Sequence, residues 1–327
     1  MATILLLLLL GFALLLLGGE LLVRGATRLA ERLGLSPMLV GLVIVGLGTS
    51  TPELAASVQA ALAGSPGIAI GNIVGSNIAN ILLILGLTAI IYPISASAGA
   101  LWRDGLVGVA GVGLMLLAGT TVGLSLWVGF AFLAVLIAYL TVAYQQERVG
   151  EVSAASQRTE AVEHADPGLH VHETGSPAGL VKAIALFVVG IAIIVAGGTI
   201  LVDNAIAIAA RLGVSDEVIG LTIVAFGTSA PELATSAIAA FRKESDIALG
   251  NVLGSNIYNI FFIGGVTGIV APGPIPGGIM TMDLWVLLAA SIVAIGFAWT
   301  GGRLGRREGG VLVAAYVGFI LFTAGLI

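Results

Sequence analysis

Long apolar runs separated by short polar segments make up the hydrophobicity pattern of this chain. Each run is roughly 20 residues long, the length that a helix needs to cross a ~30 Å hydrocarbon core. The runs lack the alternation of transmembrane β-strands, and in lipid only helices and closed barrels satisfy the backbone. The pattern predicts an all-α, polytopic membrane protein with ten transmembrane helices, at about 3–22, 37–62, 68–91, 101–119, 122–143, 179–201, 216–241, 247–270, 280–299 and 310–326.

The same pattern occurs twice, at a constant offset of 179 residues. Residues 41–91 recur as residues 220–270, and 28 of these 51 paired positions are identical. Because each copy contains an odd number of predicted spans, five, the second copy should cross the membrane in the opposite direction. We therefore expect a first five-helix repeat at 1–144, a cytoplasmic linker at 145–178 and a second, inverted five-helix repeat at 179–327.

Composition supports a membrane protein and adds an orientation. The chain is 58% apolar and 9% charged, with a mean hydropathy of +1.12, which is far from the values of a soluble domain. Twelve of its 13 lysines and arginines fall in loops on one side of the predicted membrane, and only Arg211 falls on the other. The positive-inside rule then predicts a cytoplasmic central loop and both termini outside.

The linker at 145–178 is the one long polar stretch, and we expect a mobile loop that is partly helical near its start. Its His170 and His172 are interpreted as solvated residues rather than metal ligands. The chain contains no cysteine, which excludes disulfides and thiolate metal sites.

A polar motif, Gly-Thr-Ser-x-Pro-Glu, interrupts the second predicted span at 48–53 and recurs in the seventh at 227–232. A proline inside a helix removes one backbone hydrogen bond and clashes with the carbonyl four residues earlier. The side chains of Thr49, Ser50 and Glu53 are three or four residues apart and share a face. Each copy therefore offers hydroxyls, a carboxylate and unpaired carbonyls inside the membrane, where polar groups usually mark an ion or substrate path.

A second motif, Gly-Asn-x-x-Gly-Ser-Asn-Ile-x-Asn, follows in both copies. It places Ser76 and Asn80 on one helical face, and Ser255 and Asn259 on the matching face of the other copy. The remaining amides are expected to bond to the backbone or to adjacent helices: Asn72, Asn77, Asn251 and Asn256. The glycines at spacing four favour close helix packing: Gly71, Gly75, Gly250 and Gly254.

Folding the two inverted copies together should bring Glu53 and Glu232 to one point near the midplane. An all-oxygen cage with two carboxylates suits a hard cation, and six to eight flexible ligands suit Ca²⁺ better than Mg²⁺. The same oxygens, divided among adjacent subsites, suit several Na⁺ ions. Three other acids are not assigned to the cage: Asp104 and Asp283 are interpreted as helix-start residues that favour the helix dipole, and Glu20 is not a ligand.

The paired motifs resemble the alpha repeats of the sodium/calcium exchanger family, prokaryotic type, within the cation/calcium antiporter superfamily. The resemblance covers the whole chain. It implies antiport of Ca²⁺ against Na⁺ by alternating access, with spans two, three, seven and eight lining the site and spans one and six sliding. Matched by position, the implied ligands are Thr49, Ser50, Glu53, Ser76, Asn80, Thr228, Ser229, Glu232 and Ser255, with the carbonyls of Gly46 and Ala225; Asn259 completes the predicted set.

One position departs from the family pattern, because many members carry Asp where this chain has Asn259. In the potassium-dependent branch that acid is associated with K⁺ use, so we expect transport here to be K⁺-independent. A proton/calcium antiporter is the main alternative, although its branch usually shows Asn-Ala-Thr-Glu in place of Thr-Ser-x-Pro-Glu. A cation channel, in which the same cage is a selectivity filter, is the second.

The remaining expectations concern partners. No phosphate-binding loop of the form GxxxxGK[ST] occurs, so ATP is not the expected energy source. We expect Ca²⁺ and Na⁺ as substrates, lipid as the surroundings and a chain that functions as a monomer. No cofactor, nucleotide, nucleic acid or enzymatic activity is expected.

Overall fold

A computed structural model of the chain describes residues 2–33, 35–95, 98–165, 177–211 and 225–323, and nearly all of these are helical. The first half contains α1 (Ala2–Leu33), α2 (Pro37–Leu39), α3 (Gly46–Thr49), α4 (Thr51–Leu62), α5 (Pro66–Ile78), α6 (Gly86–Ile91), β1 (Ile94–Ser95), α7 (Ala98–Thr121) and α8 (Leu126–Ala165). The π-helical turns Val40–Val45 and Ala79–Leu85 join α2 to α3 and α5 to α6.

The second half contains α9 (Pro177–Arg211), α10 (Ala225–Thr228), α11 (Ala230–Phe241), α12 (Ser245–Ile257), α13 (Gly264–Val270), α14 (Leu284–Gly301), β2 (Arg303–Leu304) and α15 (Arg306–Thr323). Its π-helical turns are Tyr258–Ile263 and Ile279–Asp283. Each half thus contains a helix that breaks before a Pro-Glu pair, followed by a helix with a π-helical turn. Turns of this kind are frequent at functional sites.

Seven helices among the described residues are long and apolar enough to cross a membrane, or eight if the bent pair at 37–62 counts as one span. Two predicted spans are not among these. The span predicted at 216–241 begins outside the described residues, and the span predicted at 310–326 corresponds to α15, whose first turn contains Arg306, Arg307 and Glu308. The protein is a multi-span helical membrane protein, and the ten-helix count remains a prediction.

Three helices extend well beyond their predicted ends: α1, α8 and α9, the last of which continues ten residues beyond 201 to Arg211. Helix α1 extends eleven residues beyond the predicted end at 22, and Glu20 and Arg24 form an i,i+4 ion pair along it. Helix α8 continues to Ala165, so the helical start predicted for the linker is present and extends over 145–165, where Ala, Gln, Glu and Arg favour a helix. His170 and His172 lie outside the described residues.

The centre of the fold consists of the two helices that contain the second motif. In the spans Pro66–Ile91 and Ser245–Val270, 78% of the most apolar stretch is buried, whereas the corresponding fraction is 28% in α1 and α9. Helices α1 and α9 pack against each other at the periphery through glycines: a Cβ atom on Gly25 would lie 2.5 Å from the backbone nitrogen of Phe187. The two helices that contain the second motif are therefore mostly buried, and the α1–α9 pair lies outside them.

The two halves cross closely where the second motif meets the broken helix of the first half. A Cβ atom on Gly254 would lie 2.4 Å from the carbonyl oxygen of Leu42, and one on Gly250 would lie 2.5 Å from that of Met38. The predicted close packing is therefore confirmed for these two glycines. It brings helix α12 against Val40–Val45.

Short backbone contacts also connect the halves in matching ways. Strands β1 and β2 pair antiparallel, with Ile94 opposite Leu304, and Leu124 forms an isolated bridge with Gly273. Residues 94 and 273 differ by the repeat offset of 179. The loop after the motif helix thus pairs with the opposite half in both repeats.

Candidate cation site

Both helices that contain the first motif break at the serine that precedes the Pro-Glu pair, as the proline predicts. Ser50 has φ −81° and ψ 7°, and Ser229 has φ −86° and ψ 5°. The first break bends the helix by 42°. Each glutamate then lies in the first turn of a new helix, α4 or α11, where the helix dipole favours a negative charge.

The structure brings the two glutamates together through the serines. Ser50 Oγ donates to Glu232 Oε1 at 3.0 Å, and Ser229 Oγ donates to Glu53 Oε1 at 3.4 Å. Both glutamates are buried, with exposed fractions of 1% and 0%. Each carboxylate is therefore bound by the serine of the other repeat.

Several buried oxygen atoms around this pair have no hydrogen-bond partner among the described residues. Ser255 Oγ donates to Glu232 Oε1 at 3.4 Å, but its repeat mate Ser76 does not bond in this way. A buried polar atom without a partner costs about 1–3 kcal/mol, and a cation would satisfy several of them together. The unpartnered atoms from predicted ligands are Glu53 Oε2, Glu232 Oε2, Ser76 Oγ, Asn80 Oδ1 and Asn259 Oδ1.

The two threonines of the first motif lie behind this group of oxygens. Thr49 Oγ1 donates to Asn251 Oδ1 at 3.0 Å, and Thr228 Oγ1 lies 3.3 Å from Asn72 Oδ1. The carbonyl of Gly46 already accepts from the backbone nitrogen of Ser50 at 3.1 Å. The oxygens of these residues keep lone pairs, but they are engaged within the protein.

Ala225 is the first residue described after residue 211 and begins α10. It lies one helical turn before Ser229, the position that Gly46 has relative to Ser50. Its carbonyl therefore belongs to the end of the helix that precedes the break.

Two serines that the sequence analysis did not select support the glutamates from behind. Asn72 Nδ2 donates to Ser57 Oγ at 3.0 Å and to the carbonyl of Glu53 at 3.3 Å. Asn251 Nδ2 donates in the same way to Ser236 Oγ at 2.9 Å and to the carbonyl of Glu232 at 3.3 Å. Ser57 and Ser236 each lie one helical turn after a glutamate and are related by the repeat offset. Their recurrence at equivalent positions is the sequence signal that could have identified them.

Asp104 has a different role from the one predicted. It lies six residues into α7, beyond the first turn, where the helix dipole acts. Its buried carboxylate instead accepts from Arg103 at 2.5 Å and from the Tyr139 hydroxyl at 2.8 Å. The dipole interpretation was wrong for Asp104, and Asp283 likewise lies inside a helical segment, at the end of the π-helical turn Ile279–Asp283 that continues into α14.

Access to the site differs between its two sides. A cavity of about 160 Å³ lies beside it on the α9 side, lined by Pro52, Val195, Gly198, Thr199, Asp203, Gly227, Thr228 and Pro231. On the α1 side, a Cβ atom on Gly19 would lie 2.6 Å from Cδ1 of Ile238, whereas for its repeat mate Gly198 the nearest described atom is Pro231 Cδ at 3.8 Å.

An ion pair adds to the closure on the α1 side. Arg242, directly after α11, donates to Glu20 Oε2 at 2.7 Å, and Arg24 binds the same carboxylate. Glu20 is therefore engaged by two arginines, away from the buried oxygens. Among the described residues, the site is therefore open on the α9 side and closed on the α1 side.

Several known proteins are similar to this chain over most of its length. The family model described as sodium/calcium exchanger protein matches residues 3–145 and 182–325. The inner membrane protein YrbG of Escherichia coli (strain K12) is 36% identical over 330 residues, covering 97% of this chain and 95% of that protein. The sodium/calcium exchanger MaX1 of Methanosarcina acetivorans is 34% identical over 339 residues, covering 97% of both.

A solved structure shows the same fold. The sodium-calcium exchanger NCX_Mj, soaked with 10 mM Na⁺ and zero Ca²⁺, superposes with a TM-score of 0.82 at 31% identity, over 99% of both chains. The similarity therefore extends over both repeats and the connections between them.

Proposed function

The chain belongs to the sodium/calcium exchanger family, in its prokaryotic form, and from that premise we propose that it exchanges Ca²⁺ for Na⁺ as a secondary active antiporter. The observation that carries this proposal is the buried pair Glu53 and Glu232, each bound by the other repeat's serine. The unpartnered oxygens around them supply further ligands for a hard cation.

Charge explains why two ions compete for such a cage. Two carboxylates neutralise one Ca²⁺, and hydroxyl and amide oxygens complete a flexible coordination shell. The same oxygens divide into smaller groups that suit Na⁺. Because both ions need Glu53 and Glu232, occupancy by one excludes the other, and that exclusion couples the two fluxes.

Alternating access fits the asymmetry around the site. We propose ten spans in two inverted five-helix repeats, at 1–144 and 179–327, joined by a cytoplasmic segment at 145–178 in the cell membrane. With both termini outside, the cavity along α9 faces the extracellular side, and α1 closes the cytoplasmic side. Sliding of the α1–α9 pair past the motif helices would exchange the two states, and one chain contains both halves of the cage.

Sodium as the coupling ion is supported by the Thr-Ser-x-Pro-Glu motif and by the serine–carboxylate bonds. In proteoliposomes loaded with Na⁺, we expect an outward Na⁺ gradient to drive uptake of radiolabelled Ca²⁺. Uptake should be unchanged when external K⁺ is replaced by choline, because residue 259 is an amide. Uptake that follows a proton gradient without Na⁺ would indicate the proton/calcium alternative, and sharp stimulation by K⁺ would contradict K⁺ independence.

The requirement for a counter-ion distinguishes an antiporter from a channel. Antiport requires Na⁺ on the opposite face, whereas a channel conducts Ca²⁺ without it. Ca²⁺ uptake at full rate into vesicles that contain only choline would therefore support a channel and contradict the proposal.

The serine–carboxylate bonds give a smaller expected effect. Ser50→Ala removes a predicted ligand that also donates to Glu232 Oε1. Loss of a hydrogen-bond partner of a metal ligand alone typically lowers affinity about 10–100-fold. We expect the KM for Ca²⁺ to rise about tenfold with a smaller change in maximal rate.

Ser291→Ala is the matched control for that change. Ser291 is also a buried helical serine, but its hydroxyl donates to the carbonyl of Leu287 at 2.7 Å, outside the cage. An unchanged KM in Ser50→Ala, or an equal rise in both variants, would remove Ser50 from the site.

A further inference from the structure

Four asparagines of the second motif bond to one another across the two repeats. Asn80 Nδ2 donates to Asn256 Oδ1 at 3.0 Å, and Asn259 Nδ2 donates to Asn77 Oδ1 at 3.1 Å. Asn77 Nδ2 in turn lies 3.4 Å from the carbonyl of Asn256. All four side chains are buried. Asn77 therefore holds the amide of Asn259, and Asn256 holds the amide of Asn80.

The partner of each amide determines which of its two ends faces the cage. A carboxamide has an accepting oxygen at one end and a donating NH₂ at the other. In both Asn80 and Asn259 the NH₂ is held, and Oδ1 is the buried atom without a partner among the described residues. A cation requires the oxygen end, and the NH₂ end would repel it.

We infer that Asn77 and Asn256 are positioning residues that hold the oxygens of Asn259 and Asn80 toward the transported cation. The inference rests on the proposed function, because it assigns an orientation to ligands of the same site.

Packing alone does not account for these amides. A largely apolar cavity of about 40 Å³ lies beside Asn77 and Asn256, lined also by Ile81, Leu253 and Ile260, so apolar side chains would suit this region. Burying four amides is tolerated only when their polar ends are bonded. The bonds run across the repeats to predicted ligands, which is the arrangement expected of groups that orient a metal site.

Double-mutant cycles of Ca²⁺ binding test the inference. Purified chain is titrated with Ca²⁺ by calorimetry, comparing Asn77→Leu, Asn259→Leu and the double variant. Each single substitution should raise the Kd at least tenfold. The double variant should bind no more than threefold more weakly than the weaker single variant, since residues that act as a unit are not additive.

A second cycle is the matched control. It combines Asn77→Leu with Asn80→Leu. Asn77 and Asn80 are three residues apart in one helical segment but belong to different cross-repeat pairs, so the effects of the two substitutions on the Kd should multiply. The inference would be overturned if the effects of Asn77→Leu and Asn259→Leu on the Kd multiplied, or if Asn77→Leu left the Kd unchanged. If Asn77→Leu does not yield monodisperse protein, the mirrored pair Asn256 and Asn80 is measured by the same criterion.

Transport supplies a readout that a packing defect does not reproduce. In proteoliposomes, Asn77→Leu should raise the KM for Ca²⁺ while the maximal rate falls less than twofold, whereas a loss only of maximal rate would indicate a structural role. Failure of the unsubstituted chain to bind Ca²⁺ would contradict the proposed function itself. Binding by that chain with equal binding by the variants would contradict only the positioning role.

Discussion

Replacing Glu232 by glutamine is expected to abolish Na⁺-driven Ca²⁺ uptake, and Glu53→Gln is expected to do the same. Glutamine keeps the size of the side chain and removes its charge, so a divalent ion would meet only one carboxylate in a buried site. Removing one partner of a buried ion pair, here the carboxylate that faces Ca²⁺, costs about 3–5 kcal/mol, which corresponds to more than 100-fold in affinity. Each variant should therefore show less than about a hundredth of the original uptake at low Ca²⁺.

The control for this experiment is Glu308→Gln. Glu308 lies in the first turn of α15, where it takes no part in the cage, so uptake should stay at the original rate. If either Glu53→Gln or Glu232→Gln retained a tenth of the original uptake, the two carboxylates would not be the centre of the site.

Replacing Gly254 by alanine is expected to prevent the two repeats from assembling. The added Cβ would lie 2.4 Å from the carbonyl oxygen of Leu42 and 2.9 Å from its Cα, and these backbone atoms cannot turn away as a side chain can. Helix α12 must then move off the broken helix and take Ser255, which donates to Glu232, with it. We expect loss of the monodisperse peak in size-exclusion chromatography and loss of Ca²⁺ uptake.

Gly113→Ala is the matched substitution. Gly113 is also helical, but no described atom lies within 4 Å of its added Cβ, so expression and uptake should be unchanged. A monodisperse, fully active Gly254→Ala variant would show that the close crossing of α12 with Val40–Val45 is not required.

The convergence of Glu53 and Glu232 was predictable because two local rules act together. A proline breaks each helix just before the glutamate, and duplication with the predicted odd number of spans should reverse the second copy. Such a reversal would place equivalent residues face to face, which agrees with the reciprocal serine–carboxylate bonds. The family, the all-helical fold and most helix boundaries also followed from the apolar runs and the motifs.

Features that depend on contacts between distant segments were not predictable in this way. The hydroxyl of Tyr139 reaches Asp104 from 35 residues away, and no spacing rule connects them. Asn77 and Asn256 were expected to bond to neighbouring helices, but their particular partners depend on how the repeats interdigitate. The helical continuation of α8 depends on intrinsic propensity in a polar segment, which the apolar pattern does not report.

The asymmetry between α1 and α9 is also absent from the repeat. Gly19 and Gly198 occupy equivalent positions, yet only Gly19 is in close contact with the side chain of Ile238. The ion pair of Glu20 with Arg242 exists on one side alone, because the equivalent positions are Thr199 and Ala63. Among the described residues, equivalent sequences thus occupy two different conformations, which the proposed alternating access requires.

Equilibrium binding of radiolabelled Ca²⁺ to the purified chain, with increasing Na⁺, tests the central claim most directly. The account predicts one Ca²⁺ per chain, displaced cooperatively by Na⁺, and no binding in the chain that carries both Glu53→Gln and Glu232→Gln. Ca²⁺ binding that persists in that double variant, or that Na⁺ leaves unchanged, would contradict it.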